Sequence, residues 1–181
     1  MRTLSDDRPL VDAILAGDVG AFDELMQRYE RLIYRVAFSF VREREAALDV
    51  TQNVFLKVFR NLGSFRREAR FKTWILRIAY NESINWMRSQ RRHLEGRQEL
   101  EPIDIPATDD PGQERVLLDK ERWRRLLGRI DRLNPRYRLA LFLRYFQGLS
   151  VREVAEVLDC TEGVAKNVLF RSVRRLRHEL A

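Results

Sequence analysis

The stretch SVREVAEVLDCTEGVAKNVLFRSVRRLR, residues 150–177, decides how the C-terminal part of this chain folds. Ser150 and Glu153 form the capping-box pattern that begins a helix, and apolar residues follow at helical spacing. The Asp-Cys-Thr sequence at 159–161 interrupts this spacing, and Thr161 is a residue type that caps the start of another helix. Two helices joined by a turn of about three residues are typical of a helix-turn-helix.

The second of these helices has two faces of different composition, at about 100° of rotation per residue. Small and apolar residues share the face that is predicted to pack: Ala165, Val168, Leu169, Ser172 and Leu176. The opposite face combines basic residues with an amide and an aromatic ring: Gly163, Lys166, Asn167, Phe170, Arg171, Arg174 and Arg177. Lys and Arg pair with guanine, Asn pairs with adenine, and an exposed Phe contacts the thymine methyl group. This face is therefore predicted to read DNA, with a solvated basic surface helix as the alternative.

The composition indicates a folded protein with a polyanionic partner. The chain has 181 residues, a net charge of +7 and 45% hydrophobic residues. A basic balance favours nucleic acid or an acidic membrane surface as the partner. The single cysteine, Cys160, excludes an internal disulfide and a cysteine zinc site. No apolar run is long enough to cross a membrane, and the N-terminus has no apolar signal region. We therefore expect a cytoplasmic protein without a metal or other cofactor.

The charges and prolines divide the chain into three parts. Residues 1–93 carry a net charge of +5 and residues 116–181 a net charge of +7, whereas residues 94–115 carry −5 and three of the five prolines. An acidic, proline-containing segment without aromatic residues is typical of a flexible linker. No long β alternation is present. The sequence predicts an all-α fold, in which two small helical domains are joined by a flexible acidic linker and the second contains the helix-turn-helix.

The first part contains two strongly helical stretches. A long helix is predicted to start at Gly17 or Asp18, with an apolar stripe made of Phe22, Leu25, Met26, Tyr29, Leu32, Ile33, Val36, Ala37 and Phe40. A second helix is predicted from about Ala46 to Leu62, and one of its faces groups Leu48, Gln52, Phe55, Val58, Phe59 and Leu62. The opposite face is formed by Asp49, Asn53, Leu56 and Arg60. An exposed Leu56 among polar residues is a mild indication of a protein contact.

Residues 60–92 are the most basic stretch of the first part, with nine Lys or Arg residues against two Glu. A loop at 63–69 carries Phe65, and a third helix is predicted to start near Arg70 or Phe71. Its packing face is formed by Phe71, Trp74, Ile75, Ile78 and Ala79, and another face by Arg77, Asn81, Ile84 and Arg88, flanked by Asn85, Arg91 and Arg92. Basic and amide residues interleaved with aromatic rings suit a single nucleic-acid strand, because charges follow the phosphates and rings hold unstacked bases. An amphipathic helix with a solvated arginine face is the alternative.

Two more helices are predicted ahead of the helix-turn-helix. The first spans about 114–133. The second has Asn134 as its cap and Pro135 at its first position, and Gly148 is expected to end it.

From about residue 10 to its end, the chain resembles an extracytoplasmic-function sigma factor of the sigma-70 family, a group of bacterial transcription initiation subunits. Four pieces carry the resemblance: AFDELMQRYERLIYRVAFSFV (21–41), ALDVTQNVFLKVFRNLGSF (47–65), FKTWILRIAYNESINWMRSQRR (71–92) and LNPRYRLALFLRYFQGLSVREVAEVLDCTEGVAKNVLFRSVRRLR (133–177). Each piece alone is moderately specific. Their order and spacing, with an acidic linker before the last piece, make the resemblance highly specific.

The resemblance implies both an organisation and an activity. Residues 1–93 would be the region 2 domain, which binds core RNA polymerase and the minus-10 promoter element. Residues 116–181 would be the region 4 domain, which binds the minus-35 element through its helix-turn-helix, and residues 94–115 the linker. Such a factor binds core polymerase, directs it to specific promoters and helps open the minus-10 region, and it is not an enzyme.

The resemblance also implies roles for individual residues. Contacts to the clamp helices of the polymerase β′ subunit fall on Asp49, Gln52, Asn53 and Phe55. Capture of a flipped minus-10 base falls on Phe65 and Asn81, and the adjacent backbone is held by Arg77, Asn85, Arg88, Arg91 and Arg92. Minus-35 contacts fall on Lys166, Asn167, Phe170, Arg171 and Arg174. Such a factor is also expected to bind the β flap of the polymerase and an anti-sigma protein, and not to insert into a membrane.

Two other classes of protein compete with this interpretation. A free-standing helix-turn-helix transcriptional regulator usually dimerises on two half-sites, but no separate dimerisation element is predicted, and the first domain would lack a role. A nuclease needs clustered carboxylates that hold a metal, or a placed histidine. The acidic residues are scattered or lie in the linker, and His93 and His178 stand beside arginines at the domain ends.

Overall fold

The computed structural model describes residues 6–65, 69–94, 128–130 and 132–178, and within them all regular structure is helical. The α-helices with both ends in these ranges are α1 (Arg8–Leu15), α2 (Val19–Val41), α3 (Arg44–Asn61), α4 (Phe71–Leu94), α5 (Pro135–Leu141), α6 (Val151–Val157) and α7 (Glu162–His178), and residues 128–130 and 132 are also helical. A 3-10 turn at Leu62–Ser64 follows α3, and a π-helical turn at Phe142–Phe146 follows α5. The predicted all-α fold is confirmed.

Helix α1 has no counterpart in the sequence predictions, and polar contacts hold it against α2 together with the buried Val11. Asp7 precedes α1. Its carboxylate accepts a hydrogen bond of 2.8 Å from Arg28 and one of 2.5 Å from the hydroxyl of Tyr29. Burial, and after it the hydrogen bond to Asp7, raises the pKa of Tyr29 far above its usual value. The phenol therefore stays protonated and donates to the carboxylate, which fixes α1 to the rest of the fold.

Helices α2, α3 and α4 pack against each other as a three-helix bundle. The predicted start of the long helix is confirmed, because the Asp18 carboxylate caps α2 by accepting a 3.3 Å hydrogen bond from a backbone N–H of the first turn. Tyr29 on α2 lies 5.5 Å from Phe71 on α4 in an edge-to-face pair. Phe40 and Tyr80 make a second such pair at 5.8 Å. Aromatic pairs of this geometry stabilise the packing beyond the area they bury.

The predicted face of α3 is wrong in part, because the helix is rotated relative to that prediction. Leu48, Gln52 and Phe59 are exposed. The buried face consists instead of Ala46, Ala47, Val50, Thr51, Val54, Phe55 and Val58. These side chains are mostly small or β-branched, so they allow the helices to approach closely. The Thr51 hydroxyl donates to a backbone carbonyl one turn earlier at 2.7 Å, which satisfies the only polar group of this face. Leu56 is exposed, as predicted.

Helix α5 begins at the predicted residues, Asn134 and Pro135, and the chain leaves the following π-helical turn at the predicted Gly148. Asn134 caps α5 by accepting a 2.9 Å hydrogen bond from a backbone N–H of the first turn, and Pro135 occupies the first helical position. After the π-helical turn the chain reverses at Gly148, whose φ of +68° lies in the left-handed region that favours glycine. Most of the helix predicted at 114–133 and nearly all of the linker predicted at 94–115 lie outside the described residues.

The capping box that starts α6 is formed in both directions. The Glu153 N–H donates to Ser150 Oγ at 3.2 Å, and the Ser150 N–H donates to the Glu153 carboxylate at 2.8 Å. The chain then turns through Asp159, whose φ is 50°. Thr161 caps α7 by accepting a 3.4 Å hydrogen bond from the Val164 N–H. The predicted helix-turn-helix is confirmed.

The N-terminal helices α1–α4 and the C-terminal helices α5–α7 pack against each other. Helix α4 contacts α6, and α2 contacts α5. One continuous set of buried side chains runs through both groups. Helix α7 packs mainly on α5 and α6, so its attachment to the rest of the fold depends on those two helices.

Candidate nucleic-acid interface

Helix α7 divides into a buried and an exposed face as the sequence predicts. On the packing side Ala165, Val168, Leu169 and Ser172 are buried and Leu176 is half-buried. The Ser172 hydroxyl donates to backbone carbonyls one turn earlier at 2.7 and 2.9 Å, so this buried polar group is satisfied. The exposed side is formed by Gly163, Lys166, Asn167, Phe170, Arg171, Arg174 and Arg177.

Phe170 distinguishes this face from an ordinary basic surface helix, whose exposed side would carry only side chains that water solvates well. Its side chain is 66% exposed, and Lys166 and Arg174 lie one turn away on either side of it. A large apolar ring in water is unfavourable, whereas the same ring can contact a thymine methyl group in the major groove. The N-terminus of α7 adds the partial positive charge of the helix dipole, which attracts phosphate.

Arg175 shows that the arginines of α7 have two different roles. Its guanidinium lies over the ring of Tyr137, 5.4 Å from the ring centre. A cation–π pair of this kind stabilises the packing of α7 on α5. Arg175 is therefore a basic residue of the same helix that is engaged within the fold, unlike those of the exposed face.

A second polar face runs along α4. Arg77, Asn81, Asn85 and Arg88 are all exposed, and their spacing of three and four residues places them on one side of the helix. Arg91 and Arg92 belong to the last turns of α4, but their side chains lie outside the part that the structure describes. Amides can both donate to and accept from base edges, and guanidinium groups pair with phosphate. The face therefore has the chemistry to hold a nucleic-acid strand.

An open groove of about 570 Å³ lies beside this face, and both groups of helices line it. Helices α3 and α4 contribute Lys57, Ile78, Tyr80, Asn81, Glu82, Ile84, Asn85 and Arg88, and the C-terminal group contributes Arg136, Leu158 and Asp159. Lys57 and Glu82 form an ion pair of 2.6 Å across the groove wall. Arg88 and Arg136 are the further cations of the lining and Asp159 is its further anion, so the groove combines amides with a small excess of positive charge.

Phe65 does not line this groove. Its side chain is half-buried in an aromatic cluster, with its ring 5.7 Å from Phe71 and 5.0 Å from Trp74. Trp74 and Asn81 are two helical turns apart, about 10 Å along the axis of α4. Phe65 therefore packs on α4 about two helical turns from Asn81, outside the groove that Asn81 lines.

A third surface lies on α3, where three of the four residues expected to contact a protein partner are exposed. Asp49, Gln52 and Asn53 are on the surface, but Phe55 is only 4% exposed and belongs to the core. Three apolar residues, Leu48, Leu56 and Phe59, are exposed beside them, and Phe59 is 60% exposed. The sequence grouped Leu48 and Phe59 with the packing face and gave Leu56 only as a mild indication of a protein contact. Exposed apolar groups beside polar ones are typical of a protein-binding surface. The sequence alone does not group these three residues on one surface; the orientation of α3 on the bundle does.

Within the ranges that the structure describes, no group of His, Cys, Asp and Glu side chains is arranged to hold a metal ion. None of the described helices combines the length and the apolar composition that crossing a membrane requires. The chemistry of the described surface is thus that of charged, amide and aromatic groups arranged on helix faces.

Two family models match the chain, and together they cover more than half of it. Sigma-70 region 2 matches residues 25–93, which include α3 and all of α4 except its last residue. Sigma-70, region 4 matches residues 123–176, which include the helix-turn-helix. The chain belongs to the sigma-70 family.

Similar sigma factors place the protein in the extracytoplasmic-function group of this family. The RNA polymerase sigma-H factor of Pseudomonas aeruginosa is 33% identical over 185 residues, covering 95% of this chain and 92% of that protein. The ECF RNA polymerase sigma-E factor of Haemophilus influenzae is 29% identical over 180 residues, covering 96% of this chain and 95% of that protein. The structure of the Bartonella quintana sigma factor RpoE, in complex with the anti-sigma factor NepR, is similar in fold. Its TM-score is 0.72 at 22% identity, covering 90% of this chain and 98% of that one.

The family settles the class of activity. As an extracytoplasmic-function sigma factor, the protein binds core RNA polymerase and directs it to promoters to initiate transcription, and it is not an enzyme. The sequence-based prediction of a sigma factor is confirmed. The free-standing regulator and the nuclease are excluded, because neither describes a chain that matches both sigma regions.

Proposed function

We propose that the exposed face of α7 reads the minus-35 element as part of a region 4 domain at residues 116–181. The residues that would contact DNA are Lys166, Asn167, Phe170, Arg171 and Arg174. The observation that carries this proposal is the 66% exposure of Phe170 among basic residues, because an apolar ring in that place has a use on DNA and none in water. The N-terminal part of a recognition helix is also the part that reaches base edges in helix-turn-helix proteins.

The polar face of α4 would hold the unpaired strand of the minus-10 element as part of a region 2 domain at residues 1–93. In this proposal Asn81 hydrogen-bonds a base that has left the stack, and the strand backbone is held by Arg77, Asn85, Arg88, Arg91 and Arg92. Phe65, packed on Trp74 at 5.0 Å, would offer its ring to a neighbouring base. Residues 94–115 would link the two domains.

Promoter opening then follows from selective binding. Asn81 is exposed on α4 beside an open groove, and a base that is paired in duplex DNA cannot enter a groove of this kind. A protein that binds only the unpaired base shifts the equilibrium toward the open strand by the free energy of that contact. Unpairing costs a few kcal/mol per base, so several contacts along α4 have to act together.

The surface on α3 would bind the clamp helices of the polymerase β′ subunit. Asp49, Gln52 and Asn53 supply its polar part, and the exposed Leu56 and Phe59 supply its apolar part. Interfaces of this composition, with an apolar centre and a polar rim, are common between proteins. Phe55 would act from inside the core by supporting the helix.

Two further partners complete the proposal. The β flap of the polymerase would bind the C-terminal helices, where Tyr145 is 65% exposed. An anti-sigma protein would hold the chain inactive, in the way that the Bartonella quintana factor is found with its anti-sigma factor. The protein would act in the cytoplasm, where the polymerase and the promoters are.

One experiment tests the proposal as a whole. The purified chain is mixed with bacterial core RNA polymerase and passed over a sizing column, and the complex is supplied with DNA from upstream of the chain's own reading frame. We expect co-elution and transcripts that start at a discrete site. A complex that starts transcription at no discrete site would contradict the proposed promoter contacts, and binding that survives substitution of both Gln52 and Asn53 would contradict the proposed α3 surface.

A further inference from the structure

Val164, in the first turn of α7, is an exposed apolar side chain that belongs to neither of the two faces predicted from the sequence. It is 41% exposed, and within the described residues of α6 and α7 it and Phe170 are the large apolar side chains at the surface. A single exposed valine is ordinary in a folded protein. Two exposed apolar groups on the helix that carries the proposed DNA-reading face call for a common explanation.

Val164, Asn167 and Phe170 form one row across the exposed side of α7. Successive members are three residues apart, so each is rotated by about 60° and displaced by about 4.5 Å along the axis relative to the one before. All three are exposed, whereas Ala165 and Val168 beside them are buried. Helix α7 therefore presents an amide with an apolar side chain on either side of it, among its basic residues.

The side chain of Val164 is held in place by the start of the helix. Its backbone N–H donates to the Thr161 hydroxyl at 3.4 Å, which is the cap of α7. A β-branched residue within a helix keeps one strongly preferred χ1 rotamer. Val164 therefore offers its methyl groups at a fixed place on the surface, with little side-chain entropy to lose on binding.

Gly163 leaves the backbone next to Val164 uncovered. Apart from the adjacent backbone, the nearest group that a Cβ atom at this position would meet is the Thr161 hydroxyl, at 4.0 Å, which is an ordinary van der Waals contact. Alanine would therefore fit the fold, and it favours a helix more than glycine does. Packing within the described part of the chain does not require glycine here, whereas the close approach of a base edge to the first turn of α7 would.

The row matches the major-groove edge of A·T base pairs. An Asn amide makes two hydrogen bonds to adenine, at N6 and N7, and an apolar side chain contacts the 5-methyl group of thymine. Val164 and Phe170 are about 9 Å apart along the helix axis, and successive base pairs of a duplex are about 3.4 Å apart. The two thymine methyl groups would therefore lie within about three base pairs of each other.

We propose that Val164 is a further specificity residue of the minus-35 contact, and that the row Val164–Asn167–Phe170 selects A·T base pairs through two thymine methyl groups and one adenine. This inference rests on the proposed function of α7. It adds a residue to that function and states which base pairs the centre of the exposed face reads. Lys166 and Arg171 flank the row and would pair with guanine, so the G·C and A·T contacts belong to different side chains.

Replacement of thymine by deoxyuracil tests the proposal, because it removes the 5-methyl group and keeps every hydrogen-bonding group of the base. Holoenzyme made from the full chain and core RNA polymerase is bound to a promoter that it transcribes, in which each thymine of the minus-35 element, on either strand, is replaced in turn. We expect uracil to weaken binding about two- to five-fold at two positions, the loss expected for one methyl group that is no longer buried. The two positions should lie within about three base pairs of each other.

Two substitutions assign these positions to their side chains. Val164→Ala should abolish the effect of uracil at one position and keep it at the other, and Phe170→Ala should do the reverse. Alanine is a better helix former than valine, so Val164→Ala keeps α7 intact. The matched control is Val19→Ala, the same change in the first turn of α2, where Val19 follows the Asp18 cap and is 72% exposed. The control should keep both effects of uracil.

The outcomes separate this proposal from the proposed function on which it rests. Binding that tolerates uracil at every thymine, or effects of uracil that Val164→Ala leaves unchanged, would overturn the proposal while the minus-35 contact stands. Loss of the same effect in Val19→Ala would also overturn it, because a change on α2 cannot remove a base contact of α7. Failure of the minus-35 contact itself gives a different result, since replacing the whole element by an unrelated sequence would then leave binding unchanged.

Discussion

The hydroxyl of Tyr29 donates a 2.5 Å hydrogen bond to the carboxylate of Asp7, which also accepts from Arg28 at 2.8 Å. Through this carboxylate a helix of eight residues, too short to be stable alone, is held against the three-helix bundle. The contact joins the first described turn of the chain to a ring that also packs on Phe71 in α4. One acidic residue thus connects the N-terminal helix with the core behind the polar face of α4.

Asp7→Ala should lower the free energy of unfolding by about 1–3 kcal/mol, because it leaves the buried Tyr29 hydroxyl without its acceptor. Urea unfolding followed by circular dichroism measures this change. In the double variant with Tyr29→Phe, the loss should be smaller than the sum of the two single losses, since no unpaired hydroxyl remains. Strict additivity would show that the hydrogen bond does not stabilise the fold. Asp23→Ala, at an exposed position of α2, is the control.

Lys166→Ala and Arg171→Ala should each lose about 1–3 kcal/mol of binding free energy at one position of the minus-35 element, because base contacts carry sequence information. Binding of the holoenzyme to a set of promoters with single base changes measures this. Arg175→Ala removes the same charge from α7 but from the side that stacks on Tyr137, so it should leave the sequence preference unchanged. An equal loss on every sequence would mean that these residues contact phosphates only.

Asn81→Ala should slow promoter opening and leave binding to the upstream duplex intact, since the amide is proposed to act only on the unpaired strand. Permanganate reactivity of thymines in the minus-10 region reports opening, and gel mobility shift reports duplex binding. The matched amide control is Gln27→Ala on the exposed surface of α2. Equal weakening of duplex binding would rule out the strand-capture role.

Two nearby substitutions on α3 should affect different properties, one the stability of the fold and the other the binding of core polymerase. Phe55→Ala should lose about 3–5 kcal/mol of stability, because the ring is buried and its removal leaves a cavity. Gln52→Ala, on the exposed side, should leave stability within about 0.5 kcal/mol and weaken binding to core polymerase. Unfolding curves and co-elution with the polymerase separate the two effects. A folded, stable Phe55→Ala chain that fails to bind would instead place Phe55 in the contact.

The capping box of α6 should make stability depend on pH in the acidic range. Burial acts to raise the pKa of Glu153, but the hydrogen bonds from Ser150 and the nearby Arg70 and Lys72 outweigh it and bring the pKa below its usual value of 4.5. The folded pKa is therefore lower than the unfolded one. The stabilisation is complete above the unfolded value and is lost as the pH falls through the folded value.

Glu153→Gln isolates this contribution, because Gln supports the same cap without titrating. The difference in free energy of unfolding between parent and variant should shrink as the pH falls from about 7 to about 3. A difference that stays constant across this range would show that the Glu153 carboxylate does not contribute through its charge.

Residues with a strong local signal were predictable from the sequence. The Ser150–Glu153 capping box, the Asn134-Pro135 start of α5 and the two faces of α7 all depend on neighbours within one or two turns, and all occur as predicted. The buried side of helix α3 was harder to predict, because apolar residues occur on both sides of this helix. The orientation of α2 and α4 decides which side is buried, and it buries Val50 and Val54 while exposing Phe59.

In the candidate site, too, features that depend on nearby residues were predictable and features that depend on distant residues were not. Exposure of Lys166, Phe170 and Asn81 follows from helical periodicity and is found in the structure. The separation of Phe65 from Asn81 and the Arg77–Asp159 ion pair depend on contacts between residues far apart in the chain. Such contacts leave no local pattern in the sequence, since neither partner's neighbours indicate the other.

The exposed leucines and phenylalanine of α3 also affect how the free protein behaves in solution. Leu48, Leu56 and Phe59 give the unbound chain an apolar surface that water solvates poorly. At high concentration, this surface therefore favours the association of free copies with one another, and the tendency should grow with the concentration of the chain.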